Sequence, residues 1–93
     1  MQFAAPKVTR FASGVTDSPV ENGSSIKVYG IHVQGTSAGQ VLVEENDGST
    51  VLFEISVPAN GSYVMNVPFV SDRGIKITTP AAVTCTVLHS NVL

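Results

Sequence analysis

Apolar and polar residues alternate in short runs along most of the chain, and clusters of Gly, Pro, Asn, Asp and Ser separate the runs. The runs are rich in β-branched residues and follow the period of two that is typical of a strand. They predict strands at 26–34, 40–45, 50–57, 62–69, 74–78 and 82–90. The pattern therefore predicts an all-β fold, a single antiparallel β-sandwich of jelly-roll-like or immunoglobulin-like type, with about seven to eight strands.

The alternation also predicts which side chains face the core, because successive strand residues point to opposite faces. The expected inward residues are Val51, Phe53, Ile55 and Val57 in the third run, Ile75 and Ile77 in the fifth, and Val83, Cys85 and Val87 in the last. One face buried and one face wet is the pattern of an antiparallel sheet.

The first run is less regular than the others. Ile26 and Val28 share one phase of the alternation, whereas Ile31 and Val33 share the other. Two explanations remain open, namely a β-bulge at Gly30 or a strand that is buried on both faces.

Two tight turns are predicted between the central runs. Asp-Gly in the segment 46–49 and Asn-Gly in the segment 59–62 favour hairpin reversals, because both dipeptides accept positive φ. The strands over 40–69 are then expected to follow one another as a meander. Asn22 and Asn60 each begin a formal glycosylation triplet, which we interpret as turn chemistry.

Residues 1–24 have a different character, with a short apolar patch set among Pro, Ser and Gly. Pro6 and Pro19 disfavour a helix there. We predict an N-terminal arm with one edge strand at most, followed by a sandwich core over 25–93, the two forming one domain.

Composition narrows the classes of function. Apolar residues make up 43% of the chain and charged residues only 13%, so the surface is unusually neutral. The net charge is -2 and Lys and Arg do not cluster, which argues against nucleic-acid binding. No run approaches the roughly 18 apolar residues of a membrane span, and no leader-like segment opens the chain, so we expect synthesis in a cytoplasm without membrane insertion.

Candidate chemical groups are few. Cys85 shares its phase with Val83 and Val87, so we interpret it as a small buried hydrophobe rather than a nucleophile. His32 and His89 lie far apart in the sequence, without the spacing of a metal site. The acidic segment 44–49 fits either a hairpin tip or a cation site, and we favour the tip. We therefore expect no enzyme, no cofactor and no metal.

The order of motifs over 25–90 resembles small virion proteins of tailed bacteriophages, especially of marine and cyanobacterial phages. The matching residues are Lys27, Tyr29, Ile31 and Val33, then Gly48 and Ser49, then 57–62, then Gly74, Ile75 and Ile77, and finally 83–89. His89 departs from the pattern, since an aromatic residue is common there.

The resemblance implies a capsid decoration or cement protein on the virion surface, a homo-oligomer with a trimer favoured, which binds the major capsid protein and bridges neighbouring shell subunits. A small tail or fibre component is an alternative. We expect the contact in the N-terminal arm, where the candidate residues are Phe3, Pro6, Val8, Arg10 and Phe11. A second alternative is a particle-displayed carbohydrate-binding module that uses Tyr29 and Tyr63.

Overall fold

The computed structural model describes residues 2–20, 24–46, 50–66 and 68–91. These residues form nine strands: β1 Lys7–Phe11, β2 Ser18–Val20, β3 Ile26–Gly35, β4 Gly39–Glu45, β5 Val51–Val57, β6 Gly61–Met65, β7 Phe69–Ser71, β8 Ile75–Thr78 and β9 Val83–Asn91. Within the described ranges, no helix is long and apolar enough to cross a membrane.

The nine strands build two antiparallel sheets that enclose one apolar core. The five-stranded sheet has the order β1-β9-β3-β6. β7 pairs with residues 26–28 of β3, on the same edge where β6 pairs with residues 31–35. The four-stranded sheet has the order β2-β8-β4-β5. This arrangement confirms the all-β sandwich predicted from the alternation, with nine strands rather than seven or eight.

Alternating residues of both sheets fill the core as predicted for most of the chain. Fully buried side chains include Ile75, Ile77, Val83, Cys85 and Val87. The third predicted run deviates at its start. Val51 is 46% exposed because the β4–β5 register shifts beside it, so Val51 lies opposite Glu44 while Phe53 lies opposite Val43. The skipped residue, Leu52, packs partly against the core in its place.

A bulge in β3 explains its irregular alternation. The register of β3 with β9 shifts between Val28 and Gly30, so one extra residue stands in β3 at this point. The shift turns both phases inward, and Ile26, Val28, Ile31 and Val33 are all buried. The bulge at Gly30 is therefore confirmed, and the strand does not need two buried faces.

The connection between β4 and β5 is the predicted hairpin. The two strands pair antiparallel, and the Glu45 amide donates to the Thr50 carbonyl at 2.8 Å. Residues 47–49 of the predicted tip lie outside the described residues.

The connection between β5 and β6 is not a hairpin, and the prediction of a meander over 40–69 is wrong. β5 belongs to the four-stranded sheet, whereas β6 pairs with β3 in the other sheet. The Gly61 amide donates to the Pro58 carbonyl at 3.2 Å, and Asn60 has a φ of 54°. The turn residues thus reverse the chain as expected, but they carry it from one sheet to the other.

The N-terminal segment contributes two edge strands, so the prediction of one at most is wrong. β1 pairs with β9 and β2 pairs with β8, which places one strand on each sheet. Each of these strands buries one apolar residue. Phe11 lies opposite Cys85 of β9 and Val20 opposite Ile75 of β8, and both are buried. The division into an arm and a core domain remains a prediction.

Candidate interaction surfaces

The outer face of the five-stranded sheet carries exposed apolar residues. Val8 of β1 lies directly opposite Leu88 of β9, and their side chains are 61% and 40% exposed. Both residues fall on the outward phase of strands whose alternate residues enter the core. Directly opposed side chains in an antiparallel pair are close enough to form one continuous patch. We call Val8 and Leu88 the apolar pair.

Polar residues adjoin the apolar pair. Arg10 lies opposite Thr86, which in turn lies opposite His32 of β3. Arg10 and His32 are exposed and Thr86 is half-buried. Because protein interfaces commonly have an apolar centre and a polar rim, this face is a candidate interaction surface.

The predicted partner-binding residues divide between surface and core. Pro6, Val8 and Arg10 are exposed, and Phe3 is half-buried. Phe11 belongs to the core, with only 8% of its surface exposed, because the β1 alternation turns it inward opposite Cys85. Phe11 is therefore little exposed in this fold, and the assignment of the five residues to partner binding stays a prediction.

A polar groove of about 490 Å³ lies at one end of the same sheet. Its lining comes from β1, β3, the turn into β6 and the start of β9: Arg10, Gln34, Gly35, Thr36, Asn60, Gly61, Ser62, Ala82 and Thr84. The hydroxyl of Thr84 donates to the Gln34 carbonyl at 3.3 Å, which ties two of these lining residues together. Asn60 is thus both a turn residue and part of this groove.

A second, more apolar cleft lies where β5 and β6 face each other across the sandwich. Its volume is about 470 Å³, and Phe53, Glu54, Ile55, Ser56, Tyr63 and Met65 line it. Tyr63 is half exposed, and the nearby rings of Phe53 and Phe69 stand 5.1 Å apart. We call this feature the β5–β6 cleft.

The two tyrosines proposed for carbohydrate binding do not share a site. Tyr29 lies at the β3 bulge, where its hydroxyl and that of Ser90 are 2.9 Å apart and Lys27 Nζ lies 5.2 Å from its ring centre. Tyr63 lines the β5–β6 cleft instead. Stacking on one sugar chain by both rings therefore has no support in this arrangement.

The candidate chemical groups are also kept apart. Cys85 is buried, and desolvation by burial raises the pKa of its thiol to about 12, so the thiolate that nucleophilic attack requires is scarce at neutral pH. His32 is exposed, whereas His89 is buried and its Nε2 lies 2.7 Å from Thr9 Oγ1. Among the described residues no three His, Cys, Asp or Glu side chains gather in a group that could hold a metal.

The acidic segment 44–49 is only partly described, since 47–49 lie outside the described residues. Glu44 lies opposite Lys76 in the β4–β8 register, which places a positive charge beside this carboxylate. The glycosylation triplet at Asn22 also falls largely outside the described residues. The triplet at Asn60 lies in the exposed turn between the sheets.

Sequence reasoning missed Leu88 as a surface residue and missed the open edge of β5. Alternation could have identified Leu88, because it falls out of phase with Val83, Cys85 and Val87. The β5 edge depends on which strands pair, and no local pattern specifies that.

Comparison with known proteins adds little to this description. No protein-family model and no curated protein matches the chain. One solved structure, described as "Bacillus endospore appendages form a novel family of disulfide-linked pili", is similar over 100% of this chain and 93% of its own, with 14% identity and a TM-score of 0.49. At that level of similarity no shared function or assembly follows.

Proposed function

We propose that this chain is a non-enzymatic structural protein of a tailed-phage particle, which binds the assembled shell as a decoration or cement protein and bridges neighbouring subunits of the major capsid protein. The observation that carries the proposal is the apolar pair, Val8 and Leu88, exposed side by side on the outer face of the five-stranded sheet. The resemblance of 25–90 to phage virion proteins supplies the class of partner.

The composition of the surface supports a contact of this kind. Only 13% of the residues are charged, so little desolvation of charge opposes close packing against another protein. Val64 of β6 and Val70 of β7 lie near the other edge of the same sheet, and their side chains are also exposed, by 53% and 52%. An exposed apolar area marks an interaction site when it is contiguous, and Val8 and Leu88 are contiguous because they lie directly opposite each other.

The size of the apolar pair also indicates how the chain binds. Complete burial of one aliphatic side chain stabilises a contact by about 1.5–3 kcal/mol, whereas association costs about 4–15 kcal/mol. Two side chains therefore do not hold a monomer on a shell. Several copies that bind together, or one copy that bridges subunits, gain the additional affinity by avidity.

The test uses shells of the encoding phage from which this protein has been removed. We expect purified protein to rebind with saturation and to raise the temperature at which the shells rupture. The double variant Val8→Ser, Leu88→Ser should bind more weakly while it remains folded. Val51→Ser is the matched control, since Val51 is similarly exposed but lies in the other sheet. Absence of saturable binding and of any thermal gain would end the proposal.

A quantitative mass-spectrometric inventory of the intact particle separates the alternatives. A copy number similar to that of the major capsid protein supports decoration of the shell. A copy number set by the symmetry of one tail supports the tail or fibre component instead.

A further inference from the structure

The four sheet edges differ in how well they are protected against pairing with another strand. An edge strand exposes unpaired N–H and C=O groups, and proteins shield such edges with Lys, Pro, bulges or short strands. The edges of this sandwich are β1 and the β6/β7 pair on the five-stranded sheet, and β2 and β5 on the four-stranded sheet.

Three of the four edges carry recognisable protection. β1 contains Lys7 and Arg10. β2 is only three residues long and includes Pro19. The β6/β7 edge is divided into strands of five and three residues, with Pro68 between them. Each of these features disfavours the addition of a further strand.

β5 lacks most of that protection. It is seven residues long and contains no Pro, Lys or Arg, and its one charged residue is Glu54. Its register with β4 shifts near Val51, which leaves 53–57 as the regular part of the edge. Among the described residues β5 has β4 as its one strand partner.

The β5–β6 cleft lies along this open edge. Tyr63 is 50% exposed there although it belongs to the inward phase of β6, opposite Val33 in the pairing with β3. A strand added to β5 would bring alternate side chains towards this surface, as in β-strand addition, where backbone bonds give affinity and side-chain pockets give specificity.

We propose that β5 pairs with β5 of a second copy of this chain, antiparallel and two-fold symmetric, so that the two four-stranded sheets become one continuous sheet. A two-fold axis makes the contact self-complementary, so each residue of β5 meets a residue of the other β5. The pairing deepens the proposed structural role and rests on it for its biological meaning. It predicts dimers in free solution in place of the trimer that the resemblance implies.

Charge and burial select the register of the pair. A pair centred on Glu54 would oppose two identical carboxylates, which is destabilising. A pair centred on Ile55 places Phe53 opposite Val57 of the second copy and Glu54 opposite its Ser56. This register uses the whole regular stretch 53–57, keeps inward residues opposite inward residues and opposes no like charges. We therefore assign the register centred on Ile55.

Substitutions at Ser56 test this register in opposite directions. Ser56→Lys sets a positive charge opposite Glu54 of the second copy twice per dimer, and Ser56→Glu sets a negative charge there twice. We expect the dimer dissociation constant to fall by about two- to thirtyfold for Ser56→Lys and to rise by a similar factor for Ser56→Glu. Equal weakening by both variants overturns the assigned pairing.

Gln40 provides the matched control. It lies opposite Ser56 in the β4–β5 register and is exposed on the same face, but it stands one strand away from the edge. Gln40→Lys and Gln40→Glu should shift the dissociation constant far less than the Ser56 variants. Effects equal to those at Ser56 would indicate long-range charge rather than strand pairing and would overturn the proposal.

Sedimentation of the full chain over a range of concentrations measures the monomer–dimer equilibrium, and hydrogen exchange identifies the strand that pairs in the dimer. We expect protection of the amides of 53–57 to rise with protein concentration, while the amides of β1 and β6 stay unchanged. A chain that remains monomeric at every concentration, or gains protection elsewhere, overturns the pairing. Shell binding by such a monomer would leave the proposed function intact, whereas a dimer that does not bind shells would remove only the function.

Discussion

Thr9 Oγ1 and His89 Nε2 lie 2.7 Å apart, and their hydrogen bond connects β1 to β9 across 80 positions of the sequence. His89 is fully buried although a histidine ring is polar. A buried polar group is costly unless it has hydrogen-bond partners, and Thr9 provides one such partner for the His89 ring in a largely aliphatic interior.

Replacement of Thr9 by Val keeps the volume and the β-branch but removes the hydroxyl. We expect the free energy of unfolding to fall by about 1–2 kcal/mol, because Nε2 of the buried ring loses its bond to Thr9. Urea denaturation measures the change. Thr86→Val is the control, since Thr86 lies on the outward phase of β9, and it should change stability by less than about 0.5 kcal/mol. Equal effects of the two variants would contradict the role of the bond.

The β3 bulge offers a second test, because a strand cannot keep both phases inward without its extra residue. Deletion of Tyr29 should turn either Ile26 and Val28 or Ile31 and Val33 outward. The exposure of each such side chain costs about 1.5–3 kcal/mol, so we expect a molecule without cooperative unfolding. Circular dichroism during heating measures the cooperativity of unfolding.

Tyr29→Phe is the control for that deletion. It retains the bulge and removes only the hydroxyl that lies 2.9 Å from Ser90 Oγ. A loss of about 1 kcal/mol with intact cooperativity is expected. A deletion variant that folds as well as Tyr29→Phe would show that the register of β3 is not fixed by the bulge.

Burial of Cys85 predicts a pH dependence at the alkaline end. Desolvation raises the pKa of its thiol from 9.0 to about 12, so above pH 9.0 the unfolded chain releases a proton that the folded chain retains. The unfolded state then binds fewer protons, and stability falls by about 1.4 kcal/mol per pH unit until pH approaches the folded value. Below pH 9.0 the thiol is protonated in both states and contributes no slope.

The comparison with Cys85→Val isolates this contribution from that of other groups. Urea denaturation at several pH values between 8 and 11 should show a steeper alkaline decline for the natural chain than for the variant. Parallel curves would mean that the thiol is more accessible to water than its burial indicates.

The turn between the two sheets yields a fourth prediction. Asn60 has a φ of 54°, which is costly for most side chains and acceptable for Asn and Gly. Asn60→Val should lower the free energy of unfolding by about 1–2 kcal/mol, whereas Asn60→Gly should stay within about 0.5 kcal/mol. Ala59→Val, at the preceding exposed position, is the control and should be close to neutral. A stable Asn60→Val variant would contradict the strain argument.

Strand positions and inward residues could largely be predicted from the sequence, because burial on one face imposes a period of two. Cys85, Ile75 and Ile77 are buried as that period predicts, and of the two explanations left open for the irregularity at Gly30 the bulge is confirmed. These properties are local, and local patterns report them directly.

Strand partnership could not be predicted in the same way. Asn60 and Gly61 suit a hairpin and a crossing between sheets equally well, since both need only a tight reversal. β2 was missed because Pro19 is rare in central strands, although it is tolerated at an edge. The apolar pair depends on β1 lying beside β9, which is a property of the whole fold.

The pairing of the first strand with the last also constrains how the molecule is made. β1 leaves the ribosome about 80 residues before the part of β9 that it contacts. Contacts so distant in sequence slow folding, because the chain loses much freedom before they form. During synthesis β1 therefore has no β9 to pair with until β9 has emerged, and the five-stranded sheet forms only then.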